Sequence, residues 1–216
     1  YRLRFYWFDD PAHYLNEDVP LLAQLARAFA APWQAWLADR VPDDFRGEAP
    51  EGVLQRWAER DLTPAERPSW FARSADRRGY RRLLEIVSLN GLVEASQLSR
   101  VMGGAPHPVQ NTLFRILMEE YGAGRPQKKH ATFFAQMLEA EGMDTTPEAY
   151  FSRVPWQVLS SINHSFYLTE HRRLYLRFCG AFTYTELSTP VGFAGYAAAA
   201  ERLGLSERKS DYWALH

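Results

Sequence analysis

The stretch RILMEEYGAGRPQKKHATFFAQML, residues 115–138, decides the fold. Two helical patterns meet in it. Up to Tyr121 the apolar residues recur three or four apart, the spacing that lines one face of a helix. Gly122 and Gly124 break the pattern, because glycine favours turns over helix interiors. Pro126 stands where a first-turn proline belongs, and a second helix is expected from there to about Glu141, stopped by Gly142. Each half carries one polar residue on its apolar face. Glu120 follows Leu113, Ile116 and Leu117 at offsets of −7, −4 and −3. His130 heads a stripe of Phe133, Phe134 and Met137. Glu119 instead follows Thr112 and Arg115, so its expected place is in solvent.

Reading outward, the same spacing predicts helices over Leu21–Leu37 and Pro108–Tyr121, with a short one around Val53–Ala58. Asp76–Met102 reads as one long helix ended by Gly103 and Gly104. Thr146 and Pro147 open a short helix, and Pro155 opens one that runs to about Glu170. Arg172–Leu187 and Pro190–Leu203 read as two further helices, and Ser206 as the cap of a last one. Tyr1–Asp9 alternates loosely, as a short strand or an arm. No internal repeat and no convincing hairpin follow. The expected fold is an all-α bundle, a single helical domain over residues 1–216.

The chain has 216 residues, 46% hydrophobic and 24% charged, the balance of a globular protein. Its net charge of −1 gives no basic face for nucleic acid. One cysteine, Cys179, excludes an intrachain disulfide. No apolar run has the length of a membrane span, and no signal-peptide pattern is present. These features point to a cytoplasmic protein that engages neither nucleic acid nor membrane. The glycines of GGAP and YGAG fit no phosphate loop, because no Gly-Lys-Ser/Thr follows.

Five polar residues sit on apolar faces, where an unpartnered charge costs several kcal/mol, so pairing, neutralisation or metal binding is required. Besides Glu120 and His130, these are Glu94, Glu186 and His216. Glu94 lies in line with Val87, Gly91, Leu98 and Val101. Glu186 ends a stripe of Tyr175, Phe178, Cys179, Phe182 and Thr183. His216 follows Tyr212 and Trp213. Taken singly, an inward Glu is more often an ion-pair partner and an inward His a hydrogen-bonded core residue. Together, three carboxylates and two imidazoles form a donor set suited to iron or manganese. No Glu stands three residues before a His, so the ferritin-type pair is absent. His164 and His171 read as structural or exposed, with His164 within reach of a substrate. Cys179 reads as a small core residue.

The opening stretch, together with GAFTYTELSTP (180–190) and YWALH (212–216), resembles the ligand helices of the haem-oxygenase-like diiron oxidases, also called iron-containing redox enzymes. The resemblance runs from about Leu83 to His216. It implies a haem-oxygenase-like helical bundle that binds two Fe(II) ions and takes O₂ as cosubstrate. Glu120, His130, Glu186 and His216 would be core ligands, and Glu94 an additional one. The steps of 26, 10, 56 and 30 residues along Glu94, Glu120, His130, Glu186 and His216 are similar to those of the subgroup that oxygenates amine nitrogens. Members that cleave fatty acids or amino-acid side chains resemble it less. The family's last ligand helix carries His-x-x-x-Asp-x-x-His, of which this sequence holds the first His alone. The expectation is therefore a chain that stops inside its last metal-binding helix.

The resemblance implies oxidation of a small amine or amino-acid-derived substrate in a natural-product pathway. An external electron donor and a homodimer are compatible with it. Oxidative cleavage or desaturation of a fatty acid or amino acid, a metal-free hydrolase on the same fold, and a non-catalytic helical module stay open as alternatives. Charge crowding among the carboxylates further predicts a last helix, Ser206–His216, that is weakly held without metal.

Overall fold

The computed structural model describes residues 19–40, 47–62, 70–93, 95–104, 107–205 and 211–216. In chain order, α1 spans Val19–Ala38, α2 Pro50–Leu62, α3 Trp70–Ser74, α4 Arg77–Gly91, α5 Pro108–Glu120, α6 His130–Ala140, α7 Trp156–Glu170, α8 Tyr175–Arg202 and α9 Asp211–Ala214. Short 3₁₀ turns fill several of the connections, and the described residues contain no strand. The described residues form the all-α bundle expected from the sequence. The readings of Tyr1–Asp9 and of Glu94 lie outside the described residues.

Helix α8 is the spine. Its partners are α2, α3, α7 and α9, while α6 packs on α4 and α9. The main core joins Tyr80 and Leu84 of α4, Phe134, Met137 and Leu138 of α6, Ala199 and Ala200 of α8, and Tyr212 and Trp213 of α9. A second cluster gathers Leu98, Leu113, Leu168, Leu174 and Phe178, between α5, α7 and the start of α8. A third joins Leu89, Val154, Ile162 and Phe166.

Three expectations are corrected. The long helix expected over Asp76–Met102 ends at Gly91 and resumes as a 3₁₀ turn over Leu98–Val101. Ala95 takes a left-handed φ of 66°, which an α-helix of L-residues does not tolerate. Ser96 and Ser99 turn their hydroxyls onto the carbonyls of Val93 and Ser96, so local side-chain bonds compete with the helix. Gln97 spans the break to Asn90 at 3.1 Å.

Second, the helix expected from Pro126 is a 3₁₀ turn over Pro126–Lys128, and α6 starts at His130. Third, the two helices expected on either side of Pro190 are one, α8, with Pro190 inside it. An interior proline costs about 3 kcal/mol and removes the N–H that would bond the carbonyl four residues back, here Glu186. Burial of Ala199 and Ala200, both 0% exposed, favours continuing the helix despite that cost.

Of the last segment, expected to be weakly held over Ser206–His216, the structure describes residues 211–216, which pack on the main core. Tyr212 and Trp213 are buried, and Trp213 Nε1 donates to the Tyr80 hydroxyl at 2.8 Å. Burial pushes the Tyr80 phenol up to about 12; the Trp213 bond opposes this and the Glu141 charge adds to it. Ser206, read as the helix cap, lies outside the described residues.

Candidate metal centre

The loop between α5 and α6 assembles the first two candidate ligands. Gly122 takes φ 61° and Ala123 φ 52°, turning the chain back on itself after Glu120. A Cβ at Gly122 would lie 2.5 Å from the Lys128 carbonyl carbon, so only glycine allows the two ends of the loop to meet. Glu120, the last residue of α5, therefore faces His130, the first of α6. Glu120 Oε2 and His130 Nδ1 lie 3.1 Å apart, with both side chains 13% exposed.

The third member comes from the far end of the chain. The His216 ring stands 4.7 Å from that of His130, nearly perpendicular to it. Phe193 and Tyr212 wall it at 5.3 and 5.2 Å. One ligand atom each from Glu120, His130 and His216 falls within 4.8 Å of the others. For a first-row dication with bonds of about 2.0–2.2 Å, ligand atoms on opposite sides lie roughly 4.0–4.4 Å apart, so the three fit around one ion. Glu120 Oε2 and His130 Nδ1 are buried, and despite their closeness neither makes a hydrogen bond. Buried polar atoms are almost always hydrogen-bonded, and a cation accounts for this pair better than packing does. The donor set fits iron.

Electrostatics agree with the geometry. Desolvation lowers the His216 imidazole below its usual value; Glu120 opposes this and His130 adds to it. A neutral imidazole is the form that binds metal. Glu186, in mid-α8, is exposed as a residue, yet the protein around its carboxyl raises it, with the charges of Glu120 and Glu119 adding and His130 opposing. Glu186 thus belongs to the same electrostatic neighbourhood but is not one of the three gathered within 4.8 Å. Of the five expected residues, the structure brings Glu120, His130 and His216 together and places Glu186 in the same electrostatic neighbourhood, while Glu94 lies outside the described residues.

The sequence profile of the family described as iron-containing redox enzymes matches residues 81–216. The chain belongs to this family. The cluster of Glu120, His130 and His216 falls within the matched residues, and its donors are of a kind that the iron of this family would need. The chain is also similar to the nitrosourea synthase of Streptomyces achromogenes subsp. streptozoticus, 34% identical over 116 residues, 53% of this chain. The match spans 25% of the length of that relative.

Two features around the candidate site of this family member were not singled out by sequence reasoning. Phe193 packs on His216, yet in sequence it is one apolar residue among the small residues of α8. Tyr80 holds Trp213, and the only signal for it is its place on the apolar face of α4 with Leu84 and Val87. The other histidines among the described residues stay apart from the centre. His164 contacts Gln34 at 3.2 Å, and burial lowers its imidazole. His171 Nδ1 lies 2.9 Å from the Tyr167 carbonyl oxygen. His107 caps α5 through the Val109 N–H. Among the described residues no helix is long and apolar enough to cross a membrane.

Proposed function

We propose that this protein is a non-haem diiron oxygenase that uses O₂ to oxidise the nitrogen of a small amine or an amino-acid-derived substrate. The observation that carries the metal reading is the buried meeting of Glu120, His130 and His216. The nitrogen reading is supported by the similarity to a nitrosourea synthase, whose named product carries an N-nitroso group. Glu186 and Glu94 complete the proposed ligand set.

Two ferrous ions, when bound, supply the electrons that activate O₂. This chain's residues do the rest. Glu120 and Glu186 offset the cationic charge, and the imidazoles of His130 and His216 bind as neutral donors that fix the geometry. Phe193, Tyr212 and Phe134 keep water from the far side of the histidines. The carboxylates are also the natural acceptors for a proton released by an amine at this site.

The experiment is to load the protein anaerobically with Fe(II), admit O₂, and offer amines and carboxylic acids. Hydroxylamine, nitroso or nitro products are expected. An alkene with loss of CO₂ or formaldehyde would overturn the nitrogen reading in favour of carbon chemistry. Glu94→Ala is expected to lose N-oxygenation.

A further inference from the structure

Aromatic residues in a helical core ordinarily do no more than pack. The set between His216 and the protein surface is distinguished by which aromatics it contains. Tyr212 lies 5.2 Å from the His216 ring, Trp213 lies 5.2 Å from Tyr212, and Tyr196 lies 5.2 Å from Trp213. Tyr212 and Trp213 are 1% and 2% exposed, whereas Tyr196 is only half-buried. Every ring on this path is a phenol or an indole, the aromatic side chains that give up an electron most readily. Phenylalanines flank it: Phe193 lies 4.8 Å from Trp213, and Phe134 lies 5.0 Å from Tyr212. The path is contiguous, dry at its inner end and open to water at its outer end. It starts at a candidate metal ligand. Beyond Tyr196, Phe71 at 5.3 Å leads to Trp70, which is 65% exposed.

We infer that Tyr212, Trp213 and Tyr196 form a one-electron relay that drains oxidising equivalents from the metal centre when no substrate consumes them. The inference rests on the iron and O₂ reading above. With iron and O₂ at the centre, oxidation there would draw one electron from Trp213 by way of the Tyr212 ring. The Trp213 N–H donates to the Tyr80 oxygen at 2.8 Å, and this bond steadies the positive charge on the indole. Tyr196 returns an electron to Trp213 and releases its phenolic proton to water, leaving a neutral phenoxyl radical. A soluble thiol then gives Tyr196 a hydrogen atom. In balance, one electron from the thiol reaches the iron, one proton goes to water, and a thiyl radical remains. The relay spares His216, which an undrained oxidant at the metal would damage first.

The test loads the protein with Fe(II), admits O₂ without substrate or thiol, and reads three quantities: iron uptake, the organic radical by electron paramagnetic resonance, and oxidised residues by peptide mass spectrometry. The expected result is iron uptake, a radical whose spectrum narrows with ring-deuterated tyrosine, and modification centred on Tyr196. Tyr196→Phe removes one oxygen from a half-buried ring. It should lose the tyrosine radical and shift modification inward to Trp213. Trp213→Phe should abolish modification at Tyr196 and increase modification at His216. Should Trp213→Phe not fold, Tyr196→Phe decides alone. Iron uptake and O₂ consumption with no radical, or with modification that ignores these substitutions, overturns the relay alone. No iron uptake overturns the relay together with the function on which it rests.

Discussion

Glu120 and His130 stood out in the sequence as candidates because each breaks an apolar stripe at a helix end, ten positions apart across a glycine-marked turn. His216 was legible for the same reason beside Tyr212 and Trp213. Glu186 was only partly legible. Its stripe places it on the correct side of α8, but periodicity does not fix how far along a helix the core ends, and Glu186 falls at the rim. The Gly122 contact with Lys128 was invisible, since a glycine that breaks a helix and a glycine that permits a close approach look alike in sequence. The first prediction belongs at this scale. His130→Ala should abolish iron binding after anaerobic loading, measured by elemental analysis, while circular dichroism keeps its helical intensity. As a proposed ligand, the imidazole can be removed at the cost of metal affinity without emptying the hydrophobic core, whose members Phe134 and Met137 remain. Full iron content in this variant would remove His130 from the site.

The helices were legible wherever apolar spacing and a terminal glycine or proline coincide, as in α5, α6 and α7. They were misread where tertiary contacts overrule local signals, at the break after Gly91 and through Pro190. Gly91 shows the first case. A Cβ there would meet Cδ2 and Cγ of Phe134 at 2.9 Å, and that ring is 0% exposed with no room to withdraw. Gly91→Ala gains about 1 kcal/mol of helix propensity and loses about 1–3 kcal/mol to overpacking. The crossing of α4 on α6 should decide the sign, so the variant should unfold at lower urea; a raised midpoint would show that the helices separate freely. A second expectation concerns α4 and the turn Phe151–Arg153. Glu85 bonds Arg82 at 2.8 Å and Arg153 at 2.6 Å. Burial alone would raise its carboxyl, but the two guanidinium bonds and charges together hold it below the usual range. The unfolded chain keeps the ordinary value of about 4.3. The pair therefore stabilises the fold above that pH, and its contribution fades as pH falls through the lowered folded value. Because Arg153 is largely exposed, the amount is at most about 1 kcal/mol. Melting curves of wild type and Glu85→Gln should differ at neutral pH and converge in acid; a gap that persists in acid would sink the assignment.

At the scale of the molecule, the three gathered candidate ligands come from the end of α5, the start of α6 and two residues past α9. His130 and His216 are 86 positions apart in sequence. A metal held by all three closes that span, and it binds the folded chain alone, because the unfolded chain has no preformed site. Binding then adds stability by mass action, about 2.7 kcal/mol at a hundredfold excess over the dissociation constant. For a protein of this size, that corresponds to a midpoint rise of about 5–11 °C. Mn(II) suits the same oxygen and imidazole donors and avoids oxidation during heating. Thermal scans should therefore show the wild-type midpoint climbing with Mn(II) and returning with a chelator. The rise should be absent in His130→Ala and in His216→Ala. The two variants test different things: His130 sits beside Glu120 across a tight turn, whereas His216 depends on the Trp213–Tyr80 hydrogen bond that holds α9 against α4. If His130→Ala abolishes the rise and His216→Ala keeps all of it, the metal belongs to the α5–α6 turn and the last segment only covers it. Loss in both would show that the ion joins the middle of the sequence to its end, as the closeness of the three side chains allows.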